Sequence, residues 1–501
     1  MSSSLNFGKN WSLSLNKIPR ACISQESCHL IVLGKNQEHK GHSEILELDT
    51  KDKVILKYPQ KFKNYRPPPL VSALKDSAAE SAASFHFPGH NRGVAAPKSL
   101  TELIGTRPFQ LDLPELPELD NLFAPEGPIL EAQKEAANLF GASETWFLVG
   151  GSTCGVQAAI MATCSPGDAL VLPRNSHISA VSAMVLCGAV PNDINAISKI
   201  CHSRKIPLIV DEAHGAHFGF HKKLPISALA QGADLVVQST HKVLCSLTQS
   251  SMLHSSGNSL VDRERICQCL QTLQSSSPSY LLLASLDAAR AQISEHQETI
   301  FNEAIELAIE AKSKIGKIPG ISLLGSLNYP SIDPLRVTIG VWGLGLSGFE
   351  ADDILCRDFG VVSELVGTQS ITLAFNLGTK REHFLRLVEG LNYLSATLFH
   401  NCTMNRVIEV TNLVHFDDIE MILSPRDAFF ASKRKVRIEE SIGEICGELI
   451  CPYPPGIPVL FPGEVITERA VEYLLRVKGQ GAVISGAADC LLSSLVVCKK
   501  S

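Results

Sequence analysis

Short apolar runs alternate with helical patterns through the middle of the chain. The runs that read as strands are residues 146–149, 169–172, 206–210, 235–237 and 251–253. Strands that alternate with helices are typical of parallel βαβ units, in which helices cover both faces of the sheet. We therefore predict an α/β fold with a mostly parallel sheet.

Proline and glycine indicate where the first helices begin and end. Three consecutive prolines, residues 67–69, precede a helical pattern at residues 71–83, so the ordered part of the chain is predicted to begin near residue 65. Further along, Pro128 stands where a helix begins and Gly141 where it ends.

The second half of the chain predicts a smaller α/β lobe and a region of different character. The lobe spans residues 321–397 and contains strand patterns at residues 336–341 and 371–375. Residues 451–464 are rich in proline, which excludes regular helix and favours a fixed, extended loop.

Length and composition exclude several classes of protein. A chain of 501 residues predicts at least two domains, and a net charge of −6 gives no basic surface for nucleic acid. No apolar run reaches the roughly 20 residues that cross a membrane. The 15 scattered cysteines indicate a reducing compartment rather than a disulfide framework. We expect a small-molecule partner, with no nucleic acid and no membrane.

The first 24 residues contain Lys9, Lys17, Arg20 and many serines but no acidic residue. This composition is typical of an organelle transit peptide, although a disordered tail has the same features. We expect a chloroplast protein, or a cytoplasmic one if the segment is not a targeting signal.

Residues 150–155, Gly-Gly-Ser-Thr-Cys-Gly, lie between a predicted strand and the helical pattern of residues 156–163. The backbone N–H groups of such a turn and the positive end of the helix favour a phosphate group. The hydroxyls of Ser152 and Thr153 can donate as well. A tight turn without a ligand is the alternative, because the turn lacks the lysine of a P-loop.

Asp211 and Lys242 each follow a predicted strand. Ligands of open α/β sheets bind beyond the carboxyl ends of the strands, so Asp211 is expected to face a site, although it could instead cap a helix. Burial beside an apolar strand would lower the pKa of Lys242 and make its amine available for a bond to an aldehyde, although most lysines are only solvated surface residues.

Three histidines after Asp211 raise the alternative of a metal site: His214, His217 and His221. Glycines at 215 and 219 interrupt any helix that would align them, so we predict no metal.

A phosphate-binding turn, an acid and a lysine at successive strand ends are what pyridoxal 5'-phosphate (PLP) requires. The chain here resembles the ornithine/lysine/arginine decarboxylases of the aspartate-aminotransferase fold, from about residue 68 to its C terminus. The motifs that carry the resemblance are residues 85–93 (FHFPGHNRG), 113–120 (LPELPELD), 211–217 (DEAHGAH), 239–242 (STHK) and 452–458 (PYPPGIP).

The resemblance implies a division of the chain and roles for individual residues. The division is a transit or disordered segment at 1–65, a PLP-dependent major domain at 66–400 and a C-terminal domain at 401–501. Lys242 would bind the cofactor aldehyde, Asp211 would pair with the pyridine nitrogen, His177 would stack on the ring and His214 would approach its 3-oxygen. The implied contacts to the cofactor and its phosphate also include Ser152, Thr153, Cys154, Ser239 and His241.

This chain departs from the family pattern between residues 187 and 200. Relatives have a strand, a helix and another strand there, and the family fold places the missing strand beside the one that ends at Asp211. A sheet that loses a central strand must close the gap or leave backbone groups unpaired. A splice form, a gene-model error and an evolved change stay open as origins of the loss.

Two functions are therefore considered. The first is decarboxylation of a basic amino acid to an amine for polyamine synthesis, with arginine preferred over lysine or ornithine. The second is a catalytically impaired isoform or paralogue that binds partner subunits. Another PLP reaction such as transamination is a third possibility. The family also implies a homodimer or larger homo-oligomer.

Overall fold

A computed structural model describes residues 66–79, 85–165, 168–171, 194–296, 299–324, 332–399, 419–453 and 457–499. It also gives the backbone of three strands nearer the N terminus. Two of these pair with each other as an antiparallel hairpin, Ser4–Phe7 with Trp11–Ser14.

The described strands of the large sheet are six, and their spatial order differs from their order along the chain. From one edge to the other they are Glu144–Leu148, Ser251–Ser255, Leu235–Gln238, Leu208–Asp211, His29–Gly34 and Ala169–Val171. The pairings give four of these strands one direction, whereas Ser251–Ser255 and His29–Gly34 run the opposite way.

Most strands thus share one direction, as predicted, but few neighbours are parallel. Among the described pairs, the parallel one joins Leu208–Asp211 to Leu235–Gln238. The chain between Leu235–Gln238 and Ser251–Ser255 contains one short helix, Thr240–Val243. A parallel connection needs a crossover element that packs across the sheet, so this short connection returns the chain as an antiparallel neighbour.

The strand His29–Gly34 lies beside the strand that ends at Asp211. This is the place at which the family fold has the strand that the sequence of this chain lacks. His29–Gly34 pairs antiparallel with Leu208–Asp211, with Leu30 opposite Val210, and on its other side with Ala169–Val171. These residues belong to the segment 1–65, which was predicted to be a transit peptide or disordered. Their pairing closes the expected gap with backbone hydrogen bonds, while the targeting role of the segment stays a prediction.

Helices cover both faces of the large sheet, as the sequence predicted. Gly151–Thr163 and Arg263–Leu273 pack on one face, where Val156, Ile209 and Val237 are fully buried. The other face is covered by Pro69–Ala79, Pro128–Phe140 and Tyr280–His296.

The predicted ends of the helix Pro128–Phe140 are confirmed. Pro128 stands in its first turn, where its missing N–H costs no hydrogen bond. Gly141 follows its last residue with φ of 70°, a left-handed conformation that favours glycine.

The smaller lobe is built on an antiparallel sheet of four described strands. Their order is Leu365–Val366, Ser370–Ala374, Arg336–Gly340 and Ser322–Leu323. Three helices pack on it: Asn302–Ile315, Gly348–Phe359 and Arg381–Leu398. The strands predicted at 336–341 and 371–375 are both present within one residue.

The C-terminal region has its own core around Ile450, Leu474 and Leu495. Its strands pair as Lys433–Arg437 with Ser494–Cys498 and Cys451–Tyr453 with Val483–Ser485, and the helix Glu468–Gly479 packs against them. The proline-rich stretch begins with the short strand Cys451–Tyr453 and contains no helix among its described residues.

Short helices complete the described part of the chain. The α-helices are Lys98–Ile104, Arg107–Leu111, Ile194–Ser203 and Pro425–Phe430, and the 3-10 helices are Pro117–Leu119, Trp342–Leu344 and Glu439–Ser441. Within the residues that the structure describes, none of the helices has the length and apolar character that a membrane crossing requires.

Candidate active site

The predicted site residues come together because three strands with the same direction end at one edge of the large sheet. Asp211 is the last residue of its strand, Ser239 follows Leu235–Gln238, and the glycine turn at 150–151 follows Glu144–Leu148. This edge is where open α/β sheets bind ligands.

Lys242 lies on the short helix Thr240–Val243, and its Nζ is 3.1 Å from Nε2 of His214. Burial lowers the pKa of Lys242. The negative charges of Asp211 and Glu364 oppose this shift, whereas the positive charge of Arg336 adds to it. The lysine therefore has the depressed pKa that its position beside an apolar strand predicts.

Asp211 is buried, with 3% of its surface exposed, and its Oδ1 accepts a hydrogen bond from the N–H of Ala213 at 3.1 Å. No helix begins at this position, so the helix-cap alternative does not apply. The carboxylate acts electrostatically on the amine of Lys242, which places an acid and a lysine in one site.

The glycine turn leads directly into the helix Gly151–Thr163. Gly151 has φ of 74°, and its N–H donates to the carbonyl of Gln249 at 2.9 Å. At the first turn of the helix, the hydroxyl of Ser239 donates to that of Ser152 at 2.8 Å. Two hydroxyls at the positive end of a helix form an arrangement that suits a phosphate.

Gly155 explains how closely this helix approaches the sheet. A Cβ at this position would lie 2.6 Å from Cδ1 of Leu148 and 2.8 Å from Cγ1 of Val237. Burial raises the pKa of the neighbouring Cys154 thiol to about 11, so the thiol is protonated at neutral pH. Thr153 is exposed at the same end of the helix.

His241 is held by the backbone of the loop that precedes Ser251–Ser255. Its Nδ1 is 2.8 Å from the carbonyl oxygen of Ser250, so Nδ1 carries the proton and donates. His177, which was predicted to stack on the cofactor, lies outside the described residues.

The histidines that raised a metal alternative have other partners. His214 contacts Lys242, the Nε2 of His217 is 2.9 Å from Oδ2 of Asp333, and Nδ1 of His221 accepts from the N–H of Lys223 at 3.1 Å. The described residues contain no group of three or more potential metal ligands.

The structure adds site residues that sequence reasoning missed. Arg336 is buried in the smaller lobe, with Nη2 3.5 Å from the carbonyl oxygen of His214, and Glu364 is an exposed residue of the same lobe. Neither belongs to a recognisable motif, so no local signal could have identified them. Glu212 stands inside the motif 211–217, so the sequence offered a signal for it, but no role was predicted for this residue.

Family comparisons match most of the chain. The family described as Orn/Lys/Arg decarboxylase, major domain, matches residues 68–196 and 192–340, and the corresponding C-terminal domain matches residues 409–486. The major-domain match therefore consists of two pieces that meet at residues 192–196, which is where the chain departs from the family pattern.

Two curated relatives show the range of similarity. An arginine decarboxylase of Bacillus subtilis is 33% identical over 484 residues, which cover 86% of this chain and 98% of that protein. A lysine decarboxylase of Pseudomonas aeruginosa is 24% identical over 557 residues, which cover 80% of this chain and 74% of that protein.

Solved structures of similar fold include two lysine decarboxylases. The constitutive enzyme of Escherichia coli has a TM-score of 0.69 at 18% identity, covering 86% of this chain and 82% of that one. The Francisella novicida enzyme has a TM-score of 0.67 at 19% identity, covering 86% of this chain and 80% of that one. These similarities confirm the predicted fold class.

Proposed function

Because the chain belongs to the Orn/Lys/Arg decarboxylase family of PLP-dependent carboxy-lyases, we propose that it decarboxylates a basic amino acid, with arginine as the preferred substrate. The relatives named arginine decarboxylase support arginine, since the first of them matches at 33% identity over nearly its whole length. We also propose that the amine feeds polyamine synthesis, in a chloroplast protein that forms a homodimer or larger homo-oligomer.

The residues at the sheet edge fit PLP. A buried carboxylate, a lysine of lowered pKa and two hydroxyls at a helix N terminus match its pyridine nitrogen, its aldehyde and its phosphate. Moreover, the buried hydroxyl of Thr240, next to Ser239, has no hydrogen-bond partner in the described part of the chain. A buried polar atom without a partner costs free energy, so a ligand in this place would stabilise it.

We assign the residues as follows. Lys242 would bind the aldehyde, Asp211 would face the ring nitrogen, and Ser152 and Ser239 would hold the phosphate. When bound, PLP supplies an electron-poor ring that takes up the electron pair left by a broken Cα–carboxylate bond. Asp211 would keep a proton on the ring nitrogen, because a nearby negative charge favours the protonated form.

The pair formed by Lys242 and His214 supplies the proton chemistry. Burial favours the neutral amine of Lys242, and only a neutral amine is a nucleophile. Nε2 of His214, 3.1 Å away, fixes the position of Nζ and can exchange a proton with it. This contact between residues of two motifs is the observation that carries the proposed function.

Two residues of the smaller lobe fit the two ends of a basic amino acid. Glu364 acts on the charge of Lys242 Nζ. A negative charge at this position also suits the positively charged side chain of a basic substrate. Arg336 is suited to a carboxylate, because its buried Nε has no hydrogen-bond partner within the described segments.

Carbon-dioxide release from arginine, lysine and ornithine, measured on the full chain with PLP, tests the proposal. We expect release from at least one of the three, fastest with arginine, and loss of release in Lys242→Ala. The exposed Lys222 provides the matched control Lys222→Ala, which should keep full activity. Keto-acid formation instead of carbon dioxide would contradict decarboxylation.

The catalytically impaired isoform is the second candidate, and the split of the family match at residues 192–196 favours it. The pairing of His29–Gly34 beside Leu208–Asp211 weighs against it, because this strand completes the sheet. Purified protein that binds PLP but releases no carbon dioxide from any of the three amino acids would support the impaired form.

A further inference from the structure

Four buried polar side chains form a hydrogen-bonded chain across the large sheet, beginning next to Asp211. Oε2 of Glu212 accepts from Nε2 of Gln238 at 2.8 Å, and Oε1 of Gln238 is 3.2 Å from Nε2 of His254. Nδ1 of His254 is in turn 2.8 Å from the hydroxyl of Thr145. None of the four side chains is more than 3% exposed.

The chemistry of these groups sets the direction of every hydrogen bond. Gln238 donates to Glu212 through its amide nitrogen, so its oxygen accepts from Nε2–H of His254. Nδ1 of His254 is then an acceptor, and the hydroxyl of Thr145 donates to it. Burial lowers the pKa of His254 to about 3, which keeps the ring neutral and consistent with this pattern. All donors therefore point toward the carboxylate of Glu212.

The side chain and the main chain of Glu212 together organise the backbone after Asp211. Oε1 of Glu212 accepts from the N–H of Ala228 at 2.8 Å, and the N–H of Glu212 donates to the carbonyl of Val237 at 2.8 Å. The N–H of Gly215 donates to the carbonyl of Glu212 at 2.8 Å. Glu212 thus fixes the turn that presents Asp211 on one side and His214 on the other.

Apolar side chains at these interior positions would avoid the free-energy cost of burying polar groups. Buried polar groups stabilise a fold only when every hydrogen-bond partner is present. The series of hydrogen bonds runs from Thr145, on an edge strand of the described sheet, to Glu212, which follows Asp211. We propose that Glu212 is a positioning residue for Asp211: anchored by Gln238, His254 and Thr145, it holds the 211–215 turn and adds a second negative charge behind the acid that faces the cofactor.

The electrostatics agree with this geometry. The pKa of Glu212 is raised to about 7, chiefly by burial and also by the charge of Asp211, while the hydrogen bonds from Gln238 and Ala228 act to lower it. Among the described residues, Asp211 is the group whose charge acts on Glu212, because His254 is neutral. Above pH 7 the ionised Glu212 therefore strengthens the negative potential at Asp211, which favours the protonated cofactor ring.

The variant Glu212→Gln separates charge from packing. Its amide can keep every hydrogen bond if Gln238 rotates by half a turn, His254 moves its proton to Nδ1 and the hydroxyl of Thr145 accepts. The protein should fold with a lower pH midpoint for the visible absorbance of bound PLP, since one negative charge is lost. We expect the proton affinity of the bound cofactor to fall by about threefold or more, or about half a pH unit.

Gln238→Leu is the complementary variant, because it keeps the carboxyl group of Glu212 and removes its support. An unsupported buried carboxylate shifts the turn or takes up a proton. We expect PLP to bind about tenfold more weakly, which corresponds to the loss of one hydrogen bond to a charged group. This variant also keeps the proposal testable if Glu212→Gln fails to fold.

Asp234 provides a matched control at the opposite end of the strand Leu235–Gln238. It is fully buried and accepts from the N–H of Leu208 at 2.7 Å, from that of Leu260 at 2.7 Å and from His202 at 2.8 Å. Asp234→Asn should lower the melting temperature but leave PLP affinity and the pH midpoint unchanged.

The proposal is overturned if Glu212→Gln binds PLP with the affinity and pH midpoint of the wild type, or if Asp234→Asn shifts them equally. It depends on the assigned PLP site and not on the substrate. All readouts use the cofactor absorbance of the full chain, so a failure here is distinct from a failure to release carbon dioxide.

Discussion

Nζ of Lys242 lies 3.1 Å from Nε2 of His214, and 28 positions of sequence separate the two residues. The first residue comes from the motif after one strand and the second from the motif after the neighbouring strand. Their contact shows that the two motifs form one site, and it makes the role of His214 testable.

We predict that His214→Phe slows PLP attachment. The ring of phenylalanine cannot accept a hydrogen bond or exchange a proton with Lys242, and losing one such bond corresponds to roughly five- to thirtyfold in rate. The rise of visible absorbance after mixing apoprotein with PLP measures this. His221→Ala, which removes a side chain hydrogen-bonded to the backbone of Lys223, is the control. Equal rates in both variants would contradict the role of His214.

Replacing Asp211 with Ala should reduce decarboxylation by orders of magnitude, because the ring nitrogen would lose the negative charge that keeps it protonated. Asp211→Asn should also lose most of the activity, since the amide retains the shape but not the charge. Steady-state rates of carbon-dioxide release measure both effects. Activity within threefold of the wild type in Asp211→Asn would exclude the assigned role.

The exposed side chain of Glu364 should affect substrate binding more than catalysis. Glu364→Gln removes the negative charge offered to a basic substrate, so KM for arginine should rise while kcat changes less. Because the residue is exposed, solvent screens the interaction and the rise should be modest. Glu382→Gln alters another exposed acid and serves as control. A lower kcat with constant KM would place Glu364 in another role.

The buried pair of His217 and Asp333 should make stability depend on pH. Burial by itself raises the pKa of Asp333, but the charges of His217 and Arg336 and the N–H of Leu335 outweigh it, so the net pKa is lowered. A lowered carboxyl pKa contributes stability above the unfolded value of about 3.9, and this contribution is lost as the pH falls through the folded value.

Asp333→Asn should therefore lower the free energy of unfolding by about 2 kcal/mol at pH 7, with a smaller difference from the wild type in acid. Urea unfolding at a series of pH values measures this. Glu295→Gln, at an exposed ion pair with His296, should change stability by less than about 0.5 kcal/mol. A difference that stays constant down to pH 3 would refute the linkage.

The strand His29–Gly34 should be required for the folded large sheet. Ile31 lies opposite Ile209 and the strand has neighbours on both sides, so proline, which has no N–H and is confined to edge strands, does not fit at this position. For Ile31→Pro we expect a lower melting temperature and loss of bound PLP. Leu13→Pro, in the separate N-terminal hairpin, should change neither. If both variants keep PLP equally well, the strand does not complete the sheet.

Much of the fold and part of the site could be predicted from local sequence. Pro128 and Gly141 identified the ends of a helix because their backbone conformations are restricted wherever they occur. Asp211 and Lys242 could be placed at one edge because the strands before them run in the same direction. The partner of Lys242 was less accessible, since two other histidines stand within seven residues of His214.

The sequence by itself determined the family, the strand ends that carry the lysine, the acid and the phosphate turn, and the amphipathic helices that cover the sheet. Only the tertiary structure decided that Arg336 and Glu364 approach Lys242, that Thr145 and His254 connect to Glu212, and that His29–Gly34 lies beside Asp211. The physical reason is distance along the chain. Motifs and periodicity report what neighbouring residues favour, whereas these contacts join segments far apart, and packing and hydrogen bonding of the whole chain select them.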